Sequence, residues 1–274
     1  MEALNNPAAR FHALLKQGQS QGKDEQSSKV WEKLLNVPSG QTPLLLQRIG
    51  HVMELPSLIE AEIHELENVN HNIYLKWLPR VNASVGMLNF QNPWKSFIDR
   101  FDAEILYGIE ICADTLSRSR PEKIISESTL NELAEKVTLL QKEFTEQSLP
   151  SNVALFISQH LEEIRLALEE YPFRGSAPLE TALKNSIGGV VISPNVYQDC
   201  QKTPYGKKFW EFMGYLAISV TITTGAIQIG KDVVTLLPSA IESPDVETPT
   251  QTEKNPGERS ESDNETNPSS TIKT

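Results

Sequence analysis

The sequence has few of the residues and patterns that indicate a particular chemistry. Its two cysteines, Cys112 and Cys200, lie far apart and form no CxxC pattern. This arrangement gives no support to a disulfide framework or a cysteine zinc site, and it fits a reducing compartment. There is no GxSxG motif and no Walker spacing, and Gly188-Gly189 follows no predicted strand. We therefore expect a protein that is not an enzyme and has no cofactor.

Positive charge is also scarce. The chain has 25 Lys and Arg residues against 36 Asp and Glu residues, which gives a formal net charge of −11. Nucleic-acid binding requires a basic surface, so nucleic acid is excluded as an expected partner. The first residues, MEALNNPAARFHALLKQ, have no basic region followed by an apolar run. They predict a chain that is not secreted and whose folded part lies in the cytoplasm.

Apolar residues recur at helical spacing through most of the chain. Leu45, Ile49 and Val52 begin a stripe that predicts one helical region over residues 42–78. A second stripe predicts a single long helix over residues 93–116. Because the turns between the predicted helices are short, neighbouring helices should be antiparallel. The predicted fold class is all-α, an antiparallel helical bundle followed by a C-terminal hydrophobic helix and a disordered tail.

Composition divides the chain into five segments. Residues 240–274 contain eight acidic residues, three basic residues and no aromatic residue. Such a segment buries too little apolar surface to offset chain entropy, so we predict disorder there. The predicted segments are a short helix and polar linker (1–28), a helical bundle domain (29–191), a connector (192–208), a hydrophobic segment (209–238) and a disordered acidic tail (239–274).

Two parts of the sequence that contain histidine are candidates for metal binding or catalysis. Glu60, His64, Glu67 and His71 fall at i, i+4, i+7 and i+11, which puts them along one face of a single helix. Carboxylate and imidazole groups at this spacing are candidate metal ligands when a second helix completes the shell. No other helix supplies a matching pair, so we expect a solvated face and no metal. His160 has no candidate nucleophile in the sequence, and a surface or helix-cap role is expected.

The stretch from Phe212 to Gly230 contains 19 residues and no charged side chain. This length matches the hydrocarbon core of a bilayer, and the segment is a candidate transmembrane helix. An aromatic cluster at its start resembles the belt at a membrane interface. Lys207 and Lys208 precede it and an acidic tail follows, so the positive-inside rule would leave the bundle in the cytoplasm.

Two other interpretations of this stretch stay open. It could be a core helix of a soluble fold, because Tyr215, Ile218, Ile222 and Ile229 share one helical face. It could also form β structure, because β-branched residues alternate with serine and threonine over residues 218–223, a composition typical of cross-β assemblies. The candidate membrane or assembly residues are Trp210, Phe212, Tyr215, Leu216, Ile218, Val220, Ile222, Ile227, Gln228, Ile229 and Gly230.

A short resemblance accompanies the third interpretation. Ile227-Gln228-Ile229-Gly230 resembles the tetrapeptide core of the RIP homotypic interaction motif, with Thr224-Gly225 upstream. Cell-death adaptors polymerise through this motif by forming an amyloid spine. The resemblance implies self-assembly as a function. It covers about seven of the 274 residues, and the long acidic tail after it departs from the family pattern.

The favoured hypothesis is a membrane-associated interaction or effector protein without enzymatic activity. Its bundle would bind a protein partner in the cytoplasm, and residues 209–238 would anchor in, or perturb, the inner or plasma membrane. The alternatives are a soluble helical scaffold or regulatory protein and an adaptor that assembles through the amyloid-like motif. The expected partners are therefore another protein, a second copy of the chain, or a membrane.

Overall fold

A computed structural model describes residues 4–146 and 148–224 of the protein. Over these residues the chain forms twelve α-helices and no β-strand, which confirms the all-α prediction. Residues 225–238 of the hydrophobic segment and the predicted tail, 239–274, lie outside the described residues. The helices are α1 (Pro7–Gln19), α2 (Ser27–Leu34), α3 (Thr42–His64), α4 (His71–Tyr74), α5 (Leu78–Val85), α6 (Lys95–Ile98), α7 (Ala103–Ser119), α8 (Glu127–Phe144), α9 (Ser151–Arg174), α10 (Ala177–Ile192), α11 (Pro194–Gln201) and α12 (Pro204–Thr224).

The first hydrophobic core is built by α1 to α7 around a group of aromatic rings. The rings of Trp31 and Trp94 meet edge to face with their centroids 5.3 Å apart, and Phe97 and Phe101 continue the group at 5.0 Å. Trp94 Nε1 donates a hydrogen bond to the Gly18 carbonyl at 2.8 Å, so this buried N–H is satisfied. A void of only about 10 Å³ remains among these residues, which indicates close packing.

Helix α1 lies inside this first core, although the sequence predicts residues 1–28 as a separate helix and linker. All residues from Asn6 to His12 are buried. Asn6 caps the helix, because its Oδ1 accepts the Ala9 N–H at 2.8 Å. Its Nδ2 donates to the Ala113 carbonyl of α7 at 3.0 Å, so the same side chain starts α1 and ties it to α7.

The two long helices predicted in the first half of the chain are each interrupted. The region 42–78 forms two separate helices, α3 and α4, and α5 begins at its last residue. Helix α3 ends at His64, and Asn68 in the following turn has φ +63°, outside the helical range. The region 93–116 forms α6 and α7. Asp102 starts α7 anew, since its Oδ1 accepts the Ile105 N–H at 3.1 Å. The apolar stripes predicted from the sequence are present, but turns in the chain divide each of them between consecutive helices.

The second hydrophobic core is a four-helix bundle of α8, α9, α10 and α12. The chain runs up α8, down α9, up α10 and down α12. The Tyr205 hydroxyl near the start of α12 donates to the Leu140 carbonyl near the end of α8, whereas Tyr215 further along α12 contacts Glu132. These pairs make α8 and α12 antiparallel. The bundle therefore extends beyond residue 191, where the sequence places its end.

The predicted connector, 192–208, is largely helical. It contains α11 and the first turn of α12, and Pro194 and Pro204 each begin a helix. The connector contributes to the second core through Cys200 and Tyr205, which are buried. Burial raises the pKa of the Cys200 thiol to about 11, so the group stays protonated and packs as a small apolar side chain.

The position of α1 leads to a prediction about stability. Phe11 is buried against Phe101, with ring centroids 6.4 Å apart. We expect Phe11→Ala to lower the free energy of unfolding by about 3–5 kcal/mol, because it leaves a cavity in the first core. Lys16→Ala on the exposed side of the same helix should change it by less than about 0.5 kcal/mol. Urea unfolding measures both, and a Phe11→Ala effect as small as the Lys16→Ala effect would contradict a central α1.

Candidate functional site

The four candidate metal ligands do not share one helix face. His64 is the last residue of α3, Glu67 lies in the turn after it, and His71 is the first residue of α4. The turn brings the two imidazole rings together, with centroids 4.9 Å apart. His71 Nε2 lies 3.1 Å from the Leu66 carbonyl oxygen. Within residues 4–146 and 148–224, no three His, Cys, Asp or Glu side chains group closely enough to hold a metal ion.

The beginning of the hydrophobic segment is part of the second core. Tyr215 is half-buried, and Ile218 is 37% exposed and lies at the bundle surface. Ile222 belongs to α12, while Ile227-Gln228-Ile229-Gly230 lies outside the described residues, and assembly through that motif stays a prediction. The side chains of the hydrophobic segment that are buried in the core are Phe209, Trp210, Phe212, Met213, Leu216, Ala217 and Val220.

Over the residues that it describes, the structure gives no support to the transmembrane interpretation of this segment. Among the helices of the described residues, none combines the length and the apolar composition needed to cross a lipid bilayer. The aromatic cluster at the start of α12 packs against protein: the Trp210 ring lies 5.2 Å from that of Phe209 and 5.1 Å from that of Tyr197, centroid to centroid. An uncharged aromatic-rich helix is equally suited to a core and to a membrane, so composition alone could not distinguish the two.

The two cores meet at a buried group of charged side chains centred on Arg48. Arg48 is fully buried, and its Nη1 donates to the carbonyls of Leu35 and Asn36 at 2.9 and 3.0 Å. It thereby satisfies the C-terminal end of α2, where Asn36 has φ +50°. Its Nη2 donates to Glu169 of α9. One guanidinium thus links α2, α3 and α9.

Glu170, next to Glu169 on α9, is the most buried carboxylate of this junction, with 1% of its surface exposed. Its Oε2 accepts a hydrogen bond from Arg174 Nη1 at 2.8 Å. Its Oε1 lies 3.7 Å from Arg48 Nε, and its Oε2 lies 3.8 Å from His51 Nε2. Two guanidinium groups, those of Arg174 and Arg48, therefore lie within ion-pair distance of one buried carboxylate and compensate for part of the loss of solvent around it.

A second charged pair lies beside this junction. Arg10 of α1 donates from Nη2 to Glu122 Oε1 at 3.0 Å, and Glu122 lies in the segment that joins the two cores. The chain passes close by at Gly175, which ends α9 with φ +67°. The backbone angle favours glycine, and a Cβ atom there would lie 2.8 Å from Arg10 Nη1, so a larger residue would also displace the charged pair.

His160 is buried, which contradicts the expected surface role. It is 8% exposed, and its ring meets that of Phe156 edge to face with centroids 4.4 Å apart. Helix α10 approaches closely here, because a Cβ on Gly189 would lie 2.8 Å from the Phe156 ring. Burial lowers the pKa of His160, and Glu163, whose Oε2 lies 3.4 Å from Nδ1, opposes the shift only in part.

An open groove of about 410 Å³ runs along α7 beside α1. Two buried alanines, Ala9 of α1 and Ala113 of α7, form its floor, and the half-buried Ile111 adds apolar surface. Tyr107 at one end is 64% exposed. The volume is within the range of ligand pockets, and the mixture of apolar and polar lining is typical of a binding site. The lining residues are Ala9, Tyr107, Glu110, Ile111, Ala113, Asp114 and Ser117.

The charge of this groove is negative. Glu110 and Asp114 are exposed on its rim. Asp114 pairs with Arg118 one turn further along α7, whereas Glu110 forms no ion pair within the described part of the chain. At the other end of the groove, the Ser117 hydroxyl donates to Asn5 Oδ1 at 2.7 Å, so the polar end is held in place.

Sequence reasoning missed both the groove and the junction. The signal for the groove is the spacing of Tyr107, Glu110 and Asp114 at i, i+3 and i+7, which places an exposed aromatic and two carboxylates on one face of α7. The signal for the junction is Arg48, which falls three residues after Leu45 on the apolar face of α3. A charged residue on a buried face requires partners, although the sequence does not say which.

Comparison with known proteins gives no relative. No family model, no curated protein and no solved structure matches this chain.

The junction leads to a prediction about Arg48. We expect Arg48→Met to lower the free energy of unfolding by about 3–5 kcal/mol, because it leaves Glu170 buried without a main compensating charge. Adding Glu170→Gln should recover part of that loss, since the unpaired charge is then removed. Arg118→Met breaks an exposed pair and should cost less than about 1 kcal/mol. Chemical denaturation of the four proteins measures this, and an Arg48→Met cost equal to that of Arg118→Met would refute it.

The environment of His160 leads to a prediction about pH. Because its pKa in the folded protein is lowered, the unfolded chain takes up a proton first as the pH falls through about 6.5. The free energy of unfolding should therefore decrease as the pH falls below that value. We expect His160→Gln to lose less stability than the wild type between about pH 7.5 and about pH 5.

The control for the pH prediction is His64→Gln, which changes an exposed histidine at the end of α3. Thermal unfolding over the same pH range should show the wild-type loss in this control. If His160→Gln shows the full wild-type loss as well, the acid sensitivity arises elsewhere in the protein.

Proposed function

We propose that the protein is a non-enzymatic helical scaffold or regulatory protein, which acts by binding another protein. The proposal takes up the scaffold alternative raised by the sequence. One observation carries it: seven side chains of α12 between Phe209 and Val220 are buried in the second core, which supports a structural role of the hydrophobic segment within the bundle. The part of the segment from Phe209 to Val220, on which the membrane hypothesis partly rests, thus packs against other helices of the protein.

The connection between the two cores supports a scaffold with fixed geometry. Helix α9 contributes Ile164 and Ala167 to the second core and Phe173 to the first. The charged junction lies on the same helix, at Glu169 and Glu170. A helix shared by two cores restricts their relative movement, which suits a protein that presents a surface to a partner in one orientation.

The chemistry of the described residues also favours binding over catalysis. The two thiols are buried, and the pKa of Cys112, like that of Cys200, is raised to about 11. A reactive thiol requires the opposite shift, so neither is a candidate nucleophile. The open groove along α7 has an exposed aromatic ring and two carboxylates in its lining. An open surface of this kind suits a protein partner.

Truncation of the chain tests this proposal. A chain that ends at Lys208 lacks the buried part of α12, and we expect it to lose the second core. Hydrogen exchange should then become fast in α8, α9 and α10, because their apolar faces lose a packing partner. The matched control ends at Thr224, keeps all of α12, and should retain slow exchange. Native protection of α8 to α10 in the Lys208 chain would contradict the proposal.

Membrane fractionation of the full-length protein separates the scaffold from the membrane-anchor hypothesis. A structural α12 predicts that carbonate washing removes the protein from the membrane fraction. If the full-length protein leaves the membrane only in detergent, and the chain that ends at Lys208 stays folded, then the hydrophobic segment is an anchor and the scaffold proposal fails.

A further inference from the structure

We infer that the groove along α7 binds a basic amphipathic helix of a partner protein. This inference rests on the proposed function and names the surface and the chemistry of the partner. It is carried by the groove of about 410 Å³, by the exposed Tyr107 ring and by the two carboxylates on the rim.

The dimensions of the groove fit a short helix. Tyr107 and Ser117 are ten residues apart on α7, a distance of about 15 Å along the helix axis. A partner helix of about three turns covers this length. The floor is made of alanines, so a second helix can approach α1 and α7 without meeting large side chains. The apolar face of such a helix would pack between Tyr107 and Ile111, the usual mode of helix-in-groove recognition.

The charges select a basic partner. Glu110 is exposed on the rim and forms no ion pair within the residues that the structure describes, so it is free to pair with a lysine or arginine. Asp114 shares its carboxylate with Arg118, whose side chain is 74% exposed and can move away. A basic residue on the partner at each of these two positions would meet a carboxylate one turn apart on α7. Complementary charge at a rim gives specificity and faster association.

The same charges argue against other occupants of the groove. A second copy of the chain carries a net charge of −11, and a symmetric interface here would bring the same carboxylates towards each other. Residues 240–274 carry eight acidic and three basic residues, so the chain's own C-terminal part is repelled as well. Nucleic acid is excluded for the same reason. A basic segment of another protein is the occupant that the charges favour.

The test is a selection that requires no known partner. A displayed library of helical peptides of about 14 residues is selected on the full-length protein. Counter-selection uses the double variant Tyr107→Ala/Glu110→Lys, whose two changes are at exposed positions. We expect the retained peptides to carry lysine or arginine residues three or four positions apart, beside an apolar stripe. Circular dichroism and thermal unfolding establish that the double variant is folded.

Individual substitutions then locate the binding surface. Tyr107→Ala and Glu110→Lys should each weaken a selected peptide at least about tenfold, by loss of the aromatic contact and by charge repulsion. Two controls on α8 make matched changes on the other core: Glu135→Lys alters the charge equally, and Leu139→Ala removes an exposed apolar side chain. Each control should change the affinity by less than about twofold, because neither position borders the groove.

Two results overturn the inference. Retained peptides without an excess of basic residues would refute the proposed partner chemistry. Peptides that bind the two α7 variants as tightly as the wild type would refute the groove as the site. Neither result affects the truncation experiment, which depends on α12 alone, so failure of this inference and failure of the scaffold proposal are distinguishable.

Discussion

Arg48 lies where the two hydrophobic cores meet, and the arrangement of the molecule depends on how its charge is compensated. A buried guanidinium without partners is strongly unfavourable, so α2, α3 and α9 must come together in one way to supply two carbonyls and two carboxylates. An apolar contact between the cores would tolerate sliding. A charged contact with directional hydrogen bonds does not, and it therefore fixes the orientation of the two cores.

The junction also explains the end of α9. Pro172 lies inside this helix and does not end it: α9 continues to Arg174 and ends at Gly175. The two helical residues after Pro172 place Phe173 in the first core and Arg174 beside Glu170. A proline lacks one backbone donor, and packing on both sides of the last turn compensates for that loss. Without Phe173, α9 would contribute no buried apolar side chain to the first core.

The sequence was sufficient for the fold class and for most buried faces, because apolar residues at helical spacing report burial directly. It did not reveal where turns interrupt the predicted helices. The turn after His64 contains no glycine or proline, and the positive φ of Asn68 depends on its surroundings. The groove could not be predicted because its floor of alanines becomes a surface feature only when α1 packs on α7. Both failures concern contacts between residues distant in sequence.

The uncharged part of α12, from Phe212 onward, is accounted for by its neighbours. A helix that is apolar around most of its circumference is buried on most sides, and between Phe209 and Val220 only Glu211 and Ile218 are exposed. Moving α12 into a membrane would expose the apolar faces of α8, α9 and α10 to water. The lost burial of its seven core side chains is worth on the order of 10 kcal/mol, which is comparable with the whole stability of a typical domain. The burial of these residues therefore favours a structural role in the second core.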